Sequence, residues 1–155
     1  MSQLLTSDNN PLSPEATRRL RWGVLIVLVI AAIAGAVVLL RRQHLREVRA
    51  QINDAIATAD GMRVAIAVYR ARNGGAWPYD NSQAGLLSLS AVSGKYVSNA
   101  HIENGRIVII LGGQIADAQR GKRIVLTPYL QGSLVLWQCS SHDLAADLLP
   151  QNCRD

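Results

Sequence analysis

Few residues in this chain offer chemistry. Of the three histidines, His44, His101 and His142, only His142 has an acidic neighbour, Asp143. A His–Asp pair is half of the arrangement that activates a hydroxyl or thiol nucleophile. No serine or cysteine motif completes it, and sequence neighbours seldom face each other in the geometry a proton relay needs. His44 stands among arginines, and His101 lies in a run of strand-forming residues. No two ligand residues recur at zinc-site spacing. Gly74-Gly75 and Gly112-Gly113 are turn glycines outside any phosphate-cradling motif. The chain is therefore expected to be neither an enzyme nor a cofactor carrier, with no small-molecule substrate. The remaining reactive groups are Cys139 and Cys153. Two cysteines fit free thiols in a reducing compartment or one disulfide in an oxidising one.

The elements that would position these residues begin with an apolar run. Trp22 to Leu40 is 19 residues without a charge, close to the roughly 20 that a helix needs to cross a bilayer core. A span over 20–41 is expected, with Trp22 suited to the interface. The run exceeds the apolar core of a cleaved signal peptide, and Arg41 and Arg42 follow it instead of a small-x-small cleavage site. It reads as an anchor that stays, preceded by a polar, disordered tail over 1–19. Ala31 and Gly35 lie four apart. Small residues at this spacing let membrane helices approach closely, although alanine is common in any such helix.

Net charge is +5. Its placement, with Arg18, Arg19 and Arg21 before the span and Arg41, Arg42, Arg46 and Arg49 after it, suits lipid headgroups rather than nucleic acid. The membrane also makes an exported, oxidising setting the favoured one for the two cysteines.

Beyond Leu40 the apolar period continues through Leu45, Val48, Ile52, Ile56, Ala59, Met62, Ile66 and Tyr69, with Arg46, Arg49, Asn53, Asp60, Arg63 and Arg70 on the other faces. This is an amphipathic helix, ending at Asn73-Gly74-Gly75. A helix of about 50 residues would reach roughly 75 Å; the alternative is two helices broken near Arg41 or Gly61. A long connection over 76–94 holds Trp77-Pro78 and a helical turn near Gln83–Ser88. Asn104-Gly105 between Tyr96–Glu103 and Arg106–Leu111 is a two-residue hairpin, since both turn positions favour positive φ. Arg123–Tyr129 and Leu134–Cys139 read as two further strands, and Asp143–Leu148 as a short helix. Trp77 and Trp137 are expected in the core. Lys95 and Tyr96 read as surface contacts or as a strand with one solvated face. Local hairpins imply an antiparallel meander that buries the helix on one face.

This order of parts resembles the type IV pilins. The residues that carry the likeness are Ala55 to Tyr69, then Asn73-Gly74-Gly75-Ala76-Trp77-Pro78, Ala84-Gly85, Gly94-Lys95-Tyr96-Val97 and Asn104-Gly105-Arg106-Ile107. Further along stand Gly121-Lys122, Leu126-Thr127-Pro128, Trp137-Gln138-Cys139 and Leu149-Pro150-Gln151-Asn152-Cys153. The resemblance covers roughly residues 45–155, and the Trp-x-Cys to Leu-Pro-x-x-Cys ending is its most specific part. It implies an α+β fold: a long N-terminal transmembrane and amphipathic helix on a four-stranded antiparallel sheet, with a C-terminal disulfide loop. Cys139 and Cys153 should pair and present Ser140–Asn152, including Ser140, Ser141, His142 and Asp143, as a contact loop of the kind the family uses between subunits or in adhesion. Trp77-Pro78 would anchor the connecting loop.

The span departs from the family. Gly23 follows the basic cluster, but Val24 comes next and no Asp or Glu occurs between Glu15 and Glu47. The acidic residue that guides family members during assembly therefore has no counterpart, and an unprocessed anchor is expected, the alternative being prepilin-peptidase cleavage at Gly23. Three basic residues before the span and four after it leave the positive-inside rule without a decision. The cysteines and the resemblance place the domain over 42–155 in the periplasm, on a single-pass bacterial inner-membrane protein with the tail cytoplasmic, and make the pilus fibre the alternative location. The implied function is a non-catalytic component of, or accessory to, a type IV pilus, in a structural, adhesion or assembly role. Its partners are then pilin subunits or pilus assembly proteins and the inner membrane, not nucleic acid. The alternatives are a membrane-tethered regulator that binds pilin, or a periplasmic ligand-binding domain.

Overall fold

The computed structural model describes residues 14–86 and 92–154, and the chain divides into one unit up to Gln43 and a second from His44. Helix α1 is Pro14–Ala57 and α2 is Asp60–Arg72. In the first unit α1 is long and apolar enough to cross a membrane. Its apolar side chains stand exposed all round, Val24 at 52%, Ile30 at 60% and Leu39 at 61%, as suits a helix whose solvent is hydrocarbon. The helix begins at Pro14, six residues ahead of the expected start at Leu20, so 14–19 do not belong to a disordered tail. Proline is pre-set for the first helical position because its φ is fixed and its missing N–H has no intrahelical partner to lose. The rest of the expected tail, residues 1–13, lies outside the described residues.

The second unit is a helix-on-sheet domain. Its helical layer is the end of α1 followed by α2, interrupted at Thr58-Ala59 and not at Arg41 or Gly61. There the Thr58 hydroxyl donates to the Asp54 carbonyl at 3.0 Å and the Ala59 N–H switches to the Ile56 carbonyl at 3.1 Å. Threonine back-bonding of this kind bends helices. The helices bury Val48, Ile52, Ala59, Met62 and Ile66 of the predicted stripe, with Ala55 added, while Leu45, Ile56 and Tyr69 are half-buried. Helix α2 ends at Asn73, where the Gly75 N–H closes on the Arg70 carbonyl at 3.0 Å and Gly74 takes φ 61°, the six-to-one closure of a Schellman motif.

The sheet is an antiparallel meander, β1 (Val97–Glu103), β2 (Arg106–Leu111), β3 (Arg123–Gln131) and β4 (Leu134–Ser140), in the order β1-β2-β3-β4. Ala100, Ile102, Ile107, Ile109, Leu111, Ile124, Leu126 and Cys139 supply its buried face, and together with the helical stripe they form one core. The paired residues of the other face include Glu103↔Arg106, His101↔Val108 and Val108↔Val125. β3 pairs with β2 only from Arg123 to Leu126 but with β4 out to Gln131. The β3–β4 ribbon therefore continues past β2, with Tyr129, Leu130 and Leu134 exposed at its tip.

Three expectations need correction. Residues 143–148 form turns, not a helix, with the Leu148 N–H on the Ala145 carbonyl at 2.9 Å and a single 3-10 turn only at Gln151–Cys153. The leucine spacing would suit a helix, but closure between Cys139 and Cys153 and the Ser141 hydroxyl, which takes the Asp143 and Leu144 N–H groups, turn the chain instead. Trp77 and Trp137 are half-buried, packed against the core from its rim. The turn expected near Gln83–Ser88 is displaced to 81–85, and 87–91 lie outside the described residues.

Candidate functional site

Cys139 is the one fully buried residue of β4 and is bonded to Cys153, with Cα atoms 4.4 Å apart. Between them the chain folds back onto the domain. Leu144, Leu148 and Leu149 are buried in the common core. The Ser141 hydroxyl donates to the Arg123 carbonyl at 2.6 Å and accepts from the Asp143 and Leu144 N–H groups at 3.3 and 3.2 Å. The Asp143 carboxylate accepts the Arg123 N–H at 3.0 Å, with the Arg123 guanidinium at 3.7 Å. Arg49 of α1 donates to the Asp147 carbonyl at 2.5 Å, and Arg154 to the Leu149 carbonyl at 2.9 Å. The loop is a fastened surface with an apolar underside. Of its four named contact residues, Ser141 and Asp143 are held in internal bonds, Ser140 is half-buried, and His142 is exposed.

His142 and Asp143 share the rim of an open depression of about 160 Å³ with Glu103, Arg106, Val108, Arg123 and Val125. Asp143 is turned to Arg123, and among the described residues no hydrogen bond joins it to His142. The arrangement holds a mixed-charge surface and no nucleophile. Among the described residues no group of three His, Cys, Asp or Glu side chains stands ready for a metal ion.

The Trp77-Pro78 loop is pinned from two sides. Arg70 stacks on the Trp77 ring with its guanidinium carbon 4.2 Å from the centroid, and donates to the Gly75 carbonyl. The hairpin turn supplies the second side, the Gly105 N–H donating to the Pro78 carbonyl at 2.8 Å and the Asn104 N–H to the Tyr79 carbonyl at 2.9 Å. Asn104 and Gly105 have φ of 51° and 78°, the positive values the hairpin motif requires. A Cβ on Gly105 would stand 2.9 Å from the Trp77 Cβ, so this turn needs glycine for contact as well as conformation.

Sequence reasoning missed Asn81, Gln51 and Asp80. Asn81 is buried and accepts the Ile102 N–H of β1 at 2.7 Å. The Gln51 side-chain oxygen accepts the Ala116 N–H at 3.1 Å, joining α1 to a loop far along the chain. Ser82 Oγ donates to the Asp80 carboxylate at 2.6 Å and the Gln83 N–H follows at 3.0 Å, and these bonds hold that carboxyl below its ordinary 3.8. The polar run Asp80-Asn81-Ser82-Gln83 after Pro78 signals a turn, but nothing in it marks which side chain enters the domain. Lys95 is exposed beside Tyr96, 4.9 Å from the ring centroid, and a hydrogen bond with Tyr96 holds its ammonium above the usual 10.5. In the membrane-type segment Gly35 has nothing within 4 Å of its Cβ position, and Ala31 is exposed.

An amphipathic helix on a four-stranded meander, closed by a C-terminal disulfide and preceded by an apolar helix, is the architecture of the pilin family of bacterial filament proteins. The chain belongs to that family, whose model matches residues 48–154. It is similar to the type IV major pilin protein PilE of Neisseria gonorrhoeae, 35% identical over 117 residues that cover 75% of this chain and 69% of that protein. It is likewise similar to a fimbrial protein of Neisseria meningitidis serogroup A, 30% identical over 155 residues, with 85% and 90% covered. A type IV major pilin protein PilE1 of Neisseria gonorrhoeae matches at 31% over 150 residues, again with 85% and 90% covered. The family is a structural one, and the chain is a pilus component by this relationship.

Proposed function

We propose that this chain is a structural subunit of a type IV pilus that waits in the bacterial inner membrane as a single-pass protein, with the domain after the span in the periplasm. The observation that carries the proposal is the joining, in one chain, of a pilin domain with its C-terminal disulfide to a helix whose apolar side chains are exposed all round. A disulfide needs an oxidising compartment, and an uncovered apolar helix needs lipid or other helices around it. Relatives named as major pilins favour a fibre subunit over a tethered regulator or a ligand-binding domain. The contact surfaces are then the Ala31–Gly35 face between helices and the fastened disulfide loop between domains, the latter also available for adhesion. The absence of a carboxylate between Glu15 and Glu47 leaves helix register to apolar packing.

The test is shearing. Pili stripped from cells and purified should contain the chain, in amounts well above an inner-membrane marker. Recovery from the inner membrane alone would remove the fibre role. In intact cells, a membrane-impermeant thiol reagent admitted to the periplasm should label a cysteine introduced at exposed Gln138 and spare one introduced in the tail before the span.

A further inference from the structure

The chain holds two Asn-Gly pairs, Asn73-Gly74 and Asn104-Gly105, and the structure treats them in opposite ways. Asparagine before glycine is chemically labile because the following N–H can reach the side-chain amide without a Cβ in the way. We propose that Asn73 is a site of spontaneous deamidation in the folded protein and that Asn104 is protected from it.

The reaction consumes only water. The Gly74 nitrogen gives its proton to solvent base and attacks Asn73 Cγ. The bond from Cγ to Nδ2 breaks, and ammonia leaves with a proton from solvent. Water then opens the resulting cyclic imide. Cleavage at Cγ gives aspartate; cleavage at the main-chain carbonyl gives isoaspartate, with the backbone routed through Cγ. The attacking nitrogen must be free of its own hydrogen bond, and the residue must be able to rotate about its ψ angle.

At Asn104 both conditions fail. The Gly105 N–H is held by the Pro78 carbonyl at 2.8 Å and the Asn104 N–H by the Tyr79 carbonyl at 2.9 Å. Gly105 is buried with its Cβ position against Trp77, and the flanking Glu103↔Arg106 pair closes the ladder. At Asn73 both conditions are closer to being met. Among the described residues no acceptor meets the Gly74 N–H, Gly74 is exposed, and nothing stands within 4 Å of its Cβ position. What restrains Asn73 is the final turn of α2, where its side-chain amide donates to the Tyr69 carbonyl at 2.7 Å and its N–H to the same oxygen at 3.0 Å. Helix ends open locally at far lower cost than a buried hairpin turn.

The product would change the surface at the entrance to the Trp77 loop. A carboxylate would replace the amide that donates to the Tyr69 carbonyl, next to the negative end of the helix. In the isoaspartate form, one extra backbone carbon would separate α2 from Gly75, whose carbonyl receives Arg70.

The full-length protein in detergent micelles, aged at mildly alkaline pH and mapped by peptide mass spectrometry, tests the proposal. A parallel sample is aged in denaturant. Folded protein should convert Asn73 to aspartate and isoaspartate at least about ten-fold faster than Asn104, equivalent to a difference of about 1.4 kcal/mol in reaching the reactive geometry. The denatured sample should show similar rates at both. Equal rates in the folded protein, faster loss at Asn104, or a preference for Asn73 that persists in denaturant would each overturn it.

Discussion

The Gly105 N–H donates to the Pro78 carbonyl at 2.8 Å, joining the turn of the first hairpin to the loop that follows the helix. Two motifs separated by more than twenty residues thus act as one structural unit. Trp77 is its filling: Arg70 covers one face, and the Gly105 backbone stands where any side chain would collide with its Cβ.

Gly105→Ala should therefore destabilise the domain on two counts, a φ of 78° and an approach of 2.9 Å to Trp77. Strain at such a position costs about 1–3 kcal/mol. Urea unfolding of the domain should show a lowered midpoint with an unchanged slope. Gly121→Ala, also at positive φ (75°) but with nothing within 4 Å of its Cβ position, should cost less.

Asn81→Ala should leave the buried Ile102 N–H without its acceptor. An orphaned buried donor costs about 1–3 kcal/mol. Hydrogen exchange should report it locally, with Ile102 losing protection while Ile107 and Ile109 in β2 keep theirs until global unfolding.

Breaking the disulfide by Cys139→Ser with Cys153→Ser should cost about 3 kcal/mol in the chain-entropy model. The loop should not simply be released, because Leu144, Leu148 and Leu149 remain buried and Arg49 still holds the Asp147 carbonyl. Limited proteolysis should then cut near Gln151–Arg154 before it cuts at 143–149.

Asp80 gives a pH prediction with a definite sign. Its folded carboxyl lies below 3.8 because the ionised form accepts from Ser82 and Gln83. The associated stability is fully present above that ordinary value and is lost as pH falls through the lowered folded one. NMR titration should place Asp80 below 3.8, and Ser82→Ala should move it upward.

Gly35→Leu separates the anchor's two roles. The site is open in the subunit, so the melting of the globular domain should be unchanged. If close helix approach builds the fibre, the yield of sheared pili should fall. An unchanged yield would put helix contacts on another face.

Much of this was readable from sequence. The stripe Val48, Ile52, Ala59, Met62, Ile66 follows helical period because each residue meets the same sheet face. Asn104-Gly105 announces its turn because few other residues accept two positive φ values. The pairing of Cys139 with Cys153 came from resemblance, since two cysteines carry no geometry of their own. Asn81 and Gln51 could not be found this way, because their partners are main-chain groups 21 and 65 residues distant. The non-helical path through 143–149 was hidden for a related reason: the spacing of Leu144, Leu148 and Leu149 mimics a helix, while covalent closure between Cys139 and Cys153 and the Ser141 bonds dictate turns.

The loop over Pro78 to Asn81 occupies the outer N–H groups of Ile102, Asn104 and Gly105. The free margin of β1 is thereby closed to any incoming strand over that stretch. A polymer of this subunit cannot extend its sheet from that margin as an amyloid does. If the fibre grows as proposed above, by domains and helices laid side by side, it can be dismantled without unravelling a single continuous hydrogen-bonded lattice.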